Sequence, residues 1–179
     1  MQAFSNKALS WLWLLVRVYV GYDWLTAGLH KASDAAWVGA EAGKAITGFW
    51  MRGAGLLTAP DGTPIPAASG FGWYQAFLNW LVNINAGPVF SYIIVAGELL
   101  VGIGLILGFV TPIAAAGGAL MNLNFMLAGT ASTNPMLYTL EILLLLAWTN
   151  AGYVGVDRFV WDHLFNRRRG ERTYSGQTA

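Results

Sequence analysis

The sequence predicts an all-α protein: a four-helix transmembrane bundle with a long helical extracytoplasmic insertion between helices 1 and 2. Three observations predict it. Hydrophobic residues make up 56% of the 179 positions and charged residues only 11%, less than half the roughly 25% of a soluble domain. Four apolar stretches approach the ~20 residues that cross a bilayer. The 9 tryptophans and 22 glycines suit a chain whose aromatics sit at the lipid–water boundary and whose helices approach closely.

The length allows one integral membrane domain, 1–179. Its first span is expected at about 9–29. Lys7 followed by an apolar run has the outline of a signal peptide, but the run is too long and no small-residue cleavage site follows, so the segment reads as a retained helix. The second span is expected at about 90–110, the third at 112–129 and the fourth at 136–153. Pro88, Pro112 and Pro135 stand at their openings, where a residue without an N–H fits the first helical turn. Spans two and three are separated only by Thr111-Pro112 and must form a tight antiparallel hairpin.

The insertion, 32–87, is too apolar to be a linker. SDAAWVGAEAGKAITGFWMRGAG, from Ser33, reads as an amphipathic helix with Ser33 or Asp34 as N-cap. LTAPDGTPIPAASG reads as a loop, and FGWYQAFLNWLVNIN, from Phe71, as a short helix. Trp37, Phe49, Trp50, Trp73, Tyr74 and Trp80 give the insertion an interfacial character. It is expected to lie on the membrane surface and lid one end of the bundle.

An even number of spans puts both termini on one side. That side carries Lys7 and, in a basic tail at 157–179, Arg158, Arg167, Arg168, Arg169 and Arg172. The insertion side carries Lys31, Lys44 and Arg52. The positive-inside rule then places both termini in the cytoplasm and the chain in the cell's inner (plasma) membrane as a multi-pass protein. The arginine run is read as a topology anchor, with no nucleic-acid partner. The cysteine count of zero removes disulfides, thiol relays and thiolate metal sites. His30 and His163 lie far apart, so no metal is expected.

Charges inside the spans carry the functional signal. At 1.5 Å per residue, Asp23 lies about 9 Å in from the outer end of its span, Glu98 and Asn122 about 12 Å and Glu141 near 8 Å. With Asn124 they form one polar layer, and Arg17 lies roughly 6 Å deeper. A charge at a helix centre costs about 2.5–3.5 kcal/mol on insertion scales, so partners or a wet cavity must offset it. Arg17, Gly21, Trp24, Gly28 and Lys31 follow 4-3-4-3 spacing and share one helix face. Arg17 is expected to pair with Glu98. His30 and Lys31 lie at the outer mouth, where with Arg52 they could draw in an anion. Asn122 and Asn124 face different directions, one towards a ligand and the other towards a neighbouring helix. Asn150 and Asp157, near the inner boundary, read as caps. The structural alternative is a packing seam with an ion-pair cluster that orders the helices.

The arginine–glycine–glycine–lysine face, GELLVGIGLILGFVTP, NLNFMLAGT with the following NP, and AGYVGVDRF together resemble the DoxX/DoxD-like membrane proteins. The NFMLAGTASTNP stretch is closer to the DoxD branch, which includes the large subunit of thiosulfate:quinone oxidoreductase. The resemblance implies a four-helix membrane protein. In that branch it also implies oxidation of thiosulfate to tetrathionate, quinone as electron acceptor, and a second small subunit. The residues are compatible with this chemistry. Arg17, Lys31 or His30 would bind the anion, with Asn122 and Asn124 as polar contacts. Glu98, Asp23 and Glu141 would handle the protons of quinone reduction, and Trp24 would stack on the quinone ring. The layer is acidic, which opposes a dianion unless some carboxylates are protonated. A non-catalytic accessory subunit of a larger respiratory or photosynthetic membrane complex, with a fully paired, dry cluster, is the alternative. A small-solute transporter is a third reading, against which stands the lack of an internal repeat.

Overall fold

The computed structural model describes residues 7–159. The described chain is all-helical apart from a single bridge between Thr58 and Pro64. A 3-10 turn at Lys7–Leu9 leads into α1 (Ser10–Ala32). Then come α2 (Lys44–Ala54), α3 (Gly72–Asn83), α4 (Gly87–Leu107), α5 (Thr111–Leu127), α6 (Asn134–Leu146) and the short α7 (Trp148–Ala151). Of these, α4 alone is both long and apolar enough to cross a membrane by length and composition.

The long helices pack in adjacent pairs, α1 on α4, α4 on α5, α5 on α6 and α6 back on α1. Their shared core is built on Trp13, Val20, Trp24, Val101, Leu105, Ala115 and Leu144. α1 and α4 meet through glycine: a Cβ on Gly21 would stand 3.0 Å from the Gly102 carbonyl oxygen, and one on Gly28 2.9 Å from Leu99. The glycine face legible in the sequence is therefore the α1–α4 seam, and it draws the polar residues beside those glycines into the interior. Pro88, Pro112 and Pro135 each sit in the first turn of a helix.

The α4–α5 turn is as tight as the sequence requires. Gly108 and Val110 both adopt left-handed backbone, φ 64 and 47. Asp157 accepts hydrogen bonds from the backbone N–H of Val110 and Thr111, supplying acceptors for donors that a helix start leaves open. The capping role read for Asp157 is thus served on a different helix from its own neighbourhood.

Two expectations are corrected. The helix read from Ser33 starts only at Lys44. Ser33 instead closes α1, its N–H bonded to the carbonyls of Leu29 and His30, and Asp34 accepts from Ala36 N–H in a local turn. Gly39 and Gly43, with φ of 125 and 94, break the intervening stretch into turns. The fourth apolar segment breaks as well: α6 ends at Leu146, and α7 begins again after Ala147. Its 13 residues reach only about 20 Å.

α2 and α3 form a second core with Ile46, Trp50, Tyr74, Leu78, Leu81 and the Ala128 that ends α5. They cover the end of the bundle where α4 starts and α5 finishes. Ser91 Oγ donates to the Trp37 carbonyl at 2.5 Å and fastens the turn region before α2 to α4. The arginine run and His163 lie outside the described residues.

Candidate functional site

A cavity of about 570 Å³ opens under the α2 end of the bundle. It is lined by Asp23, Trp24 and Lys31 of α1, Glu98 of α4, Asn122 of α5, and the Thr130–Asn134 turn before α6. Aromatic side chains of Trp37, Phe49 and Phe125 close its remaining sides. Of the polar layer legible in the sequence, Asp23, Glu98 and Asn122 line this cavity, whereas Asn124 and Glu141 do not.

Helix geometry places each polar group. Trp24 and Lys31 lie seven residues apart on the packed face of α1. Lys31 sends its flexible stem inward, and Nζ meets both carboxylate oxygens of Glu98 at 2.8 Å. Nζ also lies 5.2 Å above the Trp37 ring, within the range of a cation–π contact. Glu98 is 1% exposed, so its charge depends on that one ammonium.

Glu141 is wholly buried behind the lining residues Trp24 and Asn122 and does not itself line the cavity. Trp24 Nε1 donates to Oε1 at 2.5 Å, and Asn122 Nδ2 donates to Oε2 at 2.9 Å. Gly118 makes room for this arrangement, because a Cβ there would overlap Glu141 Oε1 and press on Trp24 Nε1. Asn122 is also wholly buried, and its Oδ1 has no hydrogen-bond partner. An amide acceptor left in this state costs about 1–3 kcal/mol. Asp23 is half-buried at the cavity wall, with no hydrogen bond or ion pair from its carboxylate among the described residues.

The structure separates the other sequence-derived residues. Arg17 does not pair with Glu98, which is taken by Lys31. Its Nη1 donates to the Ala151 carbonyl at 2.8 Å and its Nη2 to the Val154 carbonyl at 2.7 Å. It packs against Gly108 and Gly155, with Asp157 as its electrostatic partner. Arg17 therefore lies at the opposite end from the cavity and binds α1 to the α4–α5 turn and the segment after α7. His30 is exposed at the end of α1 and lines neither cavity described here. Arg52 is likewise exposed on α2 and does not reach the cavity.

Asn124 faces away from Asn122. Its Oδ1 accepts from the Tyr74 hydroxyl at 2.9 Å and its Nδ2 donates to the Leu120 carbonyl. It belongs to a second, apolar groove of about 380 Å³ between α4 and α5, beneath α2 and α3. Gly97 and Gly117 give that groove its depth, and Ile93 and Leu120 on its rim are exposed. The two spaces share one wall of Ile46, Phe49 and Phe125. Phe49 and Phe125 meet edge to face, with ring centres 6.0 Å apart.

The hydroxyl-rich turn at Thr130, Ser132, Thr133 and Asn134 was not singled out as part of the site. Its signal was available: four small polar residues where an apolar helix ends on the same side as the polar layer.

Among models of protein families, the DoxX model matches residues 12–131. That span takes in α1, the insertion, α4 and α5, and so most of the cavity. No curated protein and no solved structure matches the chain.

Proposed function

The chain belongs to the DoxX family, and from that membership we propose that it is a multi-pass membrane oxidoreductase that passes electrons from a small outer-side substrate to quinone. The observation that carries this reading is the pair of adjoining cavities. One carries Asp23, Glu98 and Lys31 among largely apolar and aromatic walls; the other is apolar, glycine-floored and open at its rim; a single layer of side chains divides them. The groove has the character of a site for an apolar ring with a tail, and Asn124 and Tyr74 are the polar side chains on its lining.

The distribution of polarity supports a bilayer setting. Arg17, Glu98, Asn122 and Glu141 are buried, while Trp11, Leu15, Leu100, Ile113, Leu120 and Leu146 are exposed around the long helices. Water would oppose that arrangement, whereas hydrocarbon favours it. On this reading α1, α4, α5 and α6–α7 cross the membrane, both termini are cytoplasmic, and α2 and α3 lie at the outer surface.

The DoxD resemblance supplies thiosulfate as the electron donor to try, with a second small subunit as partner. Two thiosulfates would give tetrathionate and two electrons, and the quinone would take these with two protons. Quinone reduction is to be measured with the purified chain in lipid, with and without its genomic neighbours. Reduction that falls at least tenfold in Gly117→Leu, which fills the groove, supports the assignment. Absence of reduction under every condition, with recovery in a larger complex, would instead make the chain an accessory subunit. The open Asp23 carboxylate and the unpartnered Asn122 oxygen speak against that alternative, which calls for a fully paired cluster.

A further inference from the structure

We infer that α3 is seated edgewise in the bilayer, with a row of aromatic side chains in hydrocarbon, and that the apolar groove beneath it opens sideways into lipid. The inference rests on the membrane setting proposed for the long helices, and not on electron transfer. At about 3.6 residues per turn, the side chains of α3 sort into three arcs. Tyr74, Leu78 and Leu81 are buried against α2. Trp73, Phe77 and Trp80 fall to one side of that face and are exposed, as is Ile84 just past the helix end. Gln75, Asn79 and Asn83 fall to the other side. Trp73 is 64% exposed and Trp80 53%, and the Phe77 and Trp80 rings stack with centres 6.0 Å apart. No charged residue stands between Asp61 and Glu98. A helix face turned to water is normally charged or polar. An aromatic edge beside an uncharged amide edge is divided instead between hydrocarbon and headgroups.

The level of α3 is fixed at both ends. Ile84, Asn85 and Ala86 alone join it to α4, the helix long and apolar enough to cross a membrane. Near its start, the Tyr74 hydroxyl donates to the side chain and carbonyl of Asn124, in the last turn of α5. α3 therefore lies where α4 begins and α5 ends. Its 12 residues span about 18 Å, too short to cross.

The groove continues the same apolar surface. Phe77 of the aromatic edge stands on its lining, with Ile93 of α4 and Leu120 of α5 exposed at its rim. Ile93 belongs to one exposed stripe along α4, with Val89, Leu100, Ile103 and Leu107. The mouth of the groove thus lies on the side that α4 turns to lipid. The occupant of the aromatic edge is the acyl-chain region of the adjoining leaflet. A ligand of the groove arrives from lipid rather than from water, which suits a ring with an apolar tail.

The chain has no cysteine, so one introduced cysteine carries one nitroxide label. Trp73→Cys and Trp80→Cys probe the aromatic edge, Leu120→Cys the rim, and Asn79→Cys and Asn83→Cys the amide arc. The purified full chain is placed in phosphatidylcholine nanodiscs. Collisions of each label with oxygen, which concentrates in hydrocarbon, are compared with its collisions with a water-soluble nickel chelate. The oxygen-to-nickel ratio is expected to be at least fivefold higher at the first three positions than at the last two. Nickel access at Trp73 and Trp80 equal to that at Asn83 puts the edge in water and overturns the inference. Exclusion of both collision partners there means that a second copy or another protein covers the edge, and overturns it as well. A low ratio at Leu120 overturns the sideways opening. The labelled positions are exposed or half-buried, and an unchanged unfolding temperature confirms that each variant folds. Quenching by brominated lipids tests the same edge without a label. It should be weaker in the Trp73→Phe/Trp80→Phe variant than in the parent chain, and equal quenching overturns the inference. Quinone reduction without this depth pattern retires the seated edge alone. The pattern without reduction supports the seated edge and retires the oxidoreductase reading alone.

Discussion

Arg17 on α1 donates its Nη1–H to the carbonyl of Ala151, 2.8 Å away and 134 positions along the chain. A second bond, from Nη2 to Val154, lies beside it. The planar guanidinium reaches two carbonyls at once, which a lysine ammonium on a flexible stem does poorly. Hydrogen bonds from a charged group contribute about 1.5–3 kcal/mol each.

Arg17→Ala is therefore expected to destabilise the fold by about 3 kcal/mol or more, with Arg17→Lys recovering part. Denaturant unfolding in detergent measures this. Protein that remains folded should keep its ligand affinity in the cavity lined by Asp23 and Glu98. A selective loss of ligand binding at unchanged stability would return Arg17 to the site.

Lys31 and Glu98 give a second prediction. Truncating Lys31 to Ala leaves Glu98 buried without its cation, a situation that costs about 3–5 kcal/mol. Glu98→Gln should cost less, because it removes the charge along with the need for a partner. Replacing both with apolar residues should recover much of the loss. Unfolding of the two single variants and of the doubly apolar variant checks the ordering.

Gly118→Ala places a methyl group against Glu141 Oε1. Overpacking of this kind costs about 1–3 kcal/mol. Glu141 should withdraw from Trp24 Nε1, and the change is visible as a shift of the indole N–H resonance. A resonance that stays in place would mean the neighbouring helices separate instead.

Tyr74, on α3 between α2 and α4, gives a pH prediction. Burial raises its phenol above the ordinary value of 10.0, because the phenolate would be desolvated. A group raised in the folded state contributes stability that is complete below pH ~10 and is lost as pH climbs through the folded value. The unfolding temperature should fall between pH ~9 and ~12, and Tyr74→Phe should flatten that fall. At neutral pH the same variant loses the bond to Asn124, at a cost of about 0.5–1.5 kcal/mol.

The shared face of Arg17, Gly21, Trp24, Gly28 and Lys31 was legible because helical spacing dictates it, and the glycines on it do form the seam with α4. The polar layer was legible because its depth follows from rise per residue. The pairing within it was not. Arg17 finds backbone carbonyls, which carry no side-chain signature, and Lys31 reaches Glu98 down its own stem. The late start of α2 was not legible in the apolar spacing of that stretch, because it is Gly39 and Gly43, both with positive φ, that break it into turns. The break at Ala147 has no glycine or proline to announce it. The hydroxyl-rich turn of the cavity lay in a stretch read for its family likeness rather than its chemistry.

Phe49 and Phe125 have a consequence of their own. Standing edge to face between the two cavities, they act as a bulkhead one ring thick, with a carboxylate-bearing chamber on one side and an oily one on the other. Nothing covalent joins them: one ring comes from α2 and the other from α5. Whatever lifts α2 from the bundle therefore opens the bulkhead, and the two chambers become one.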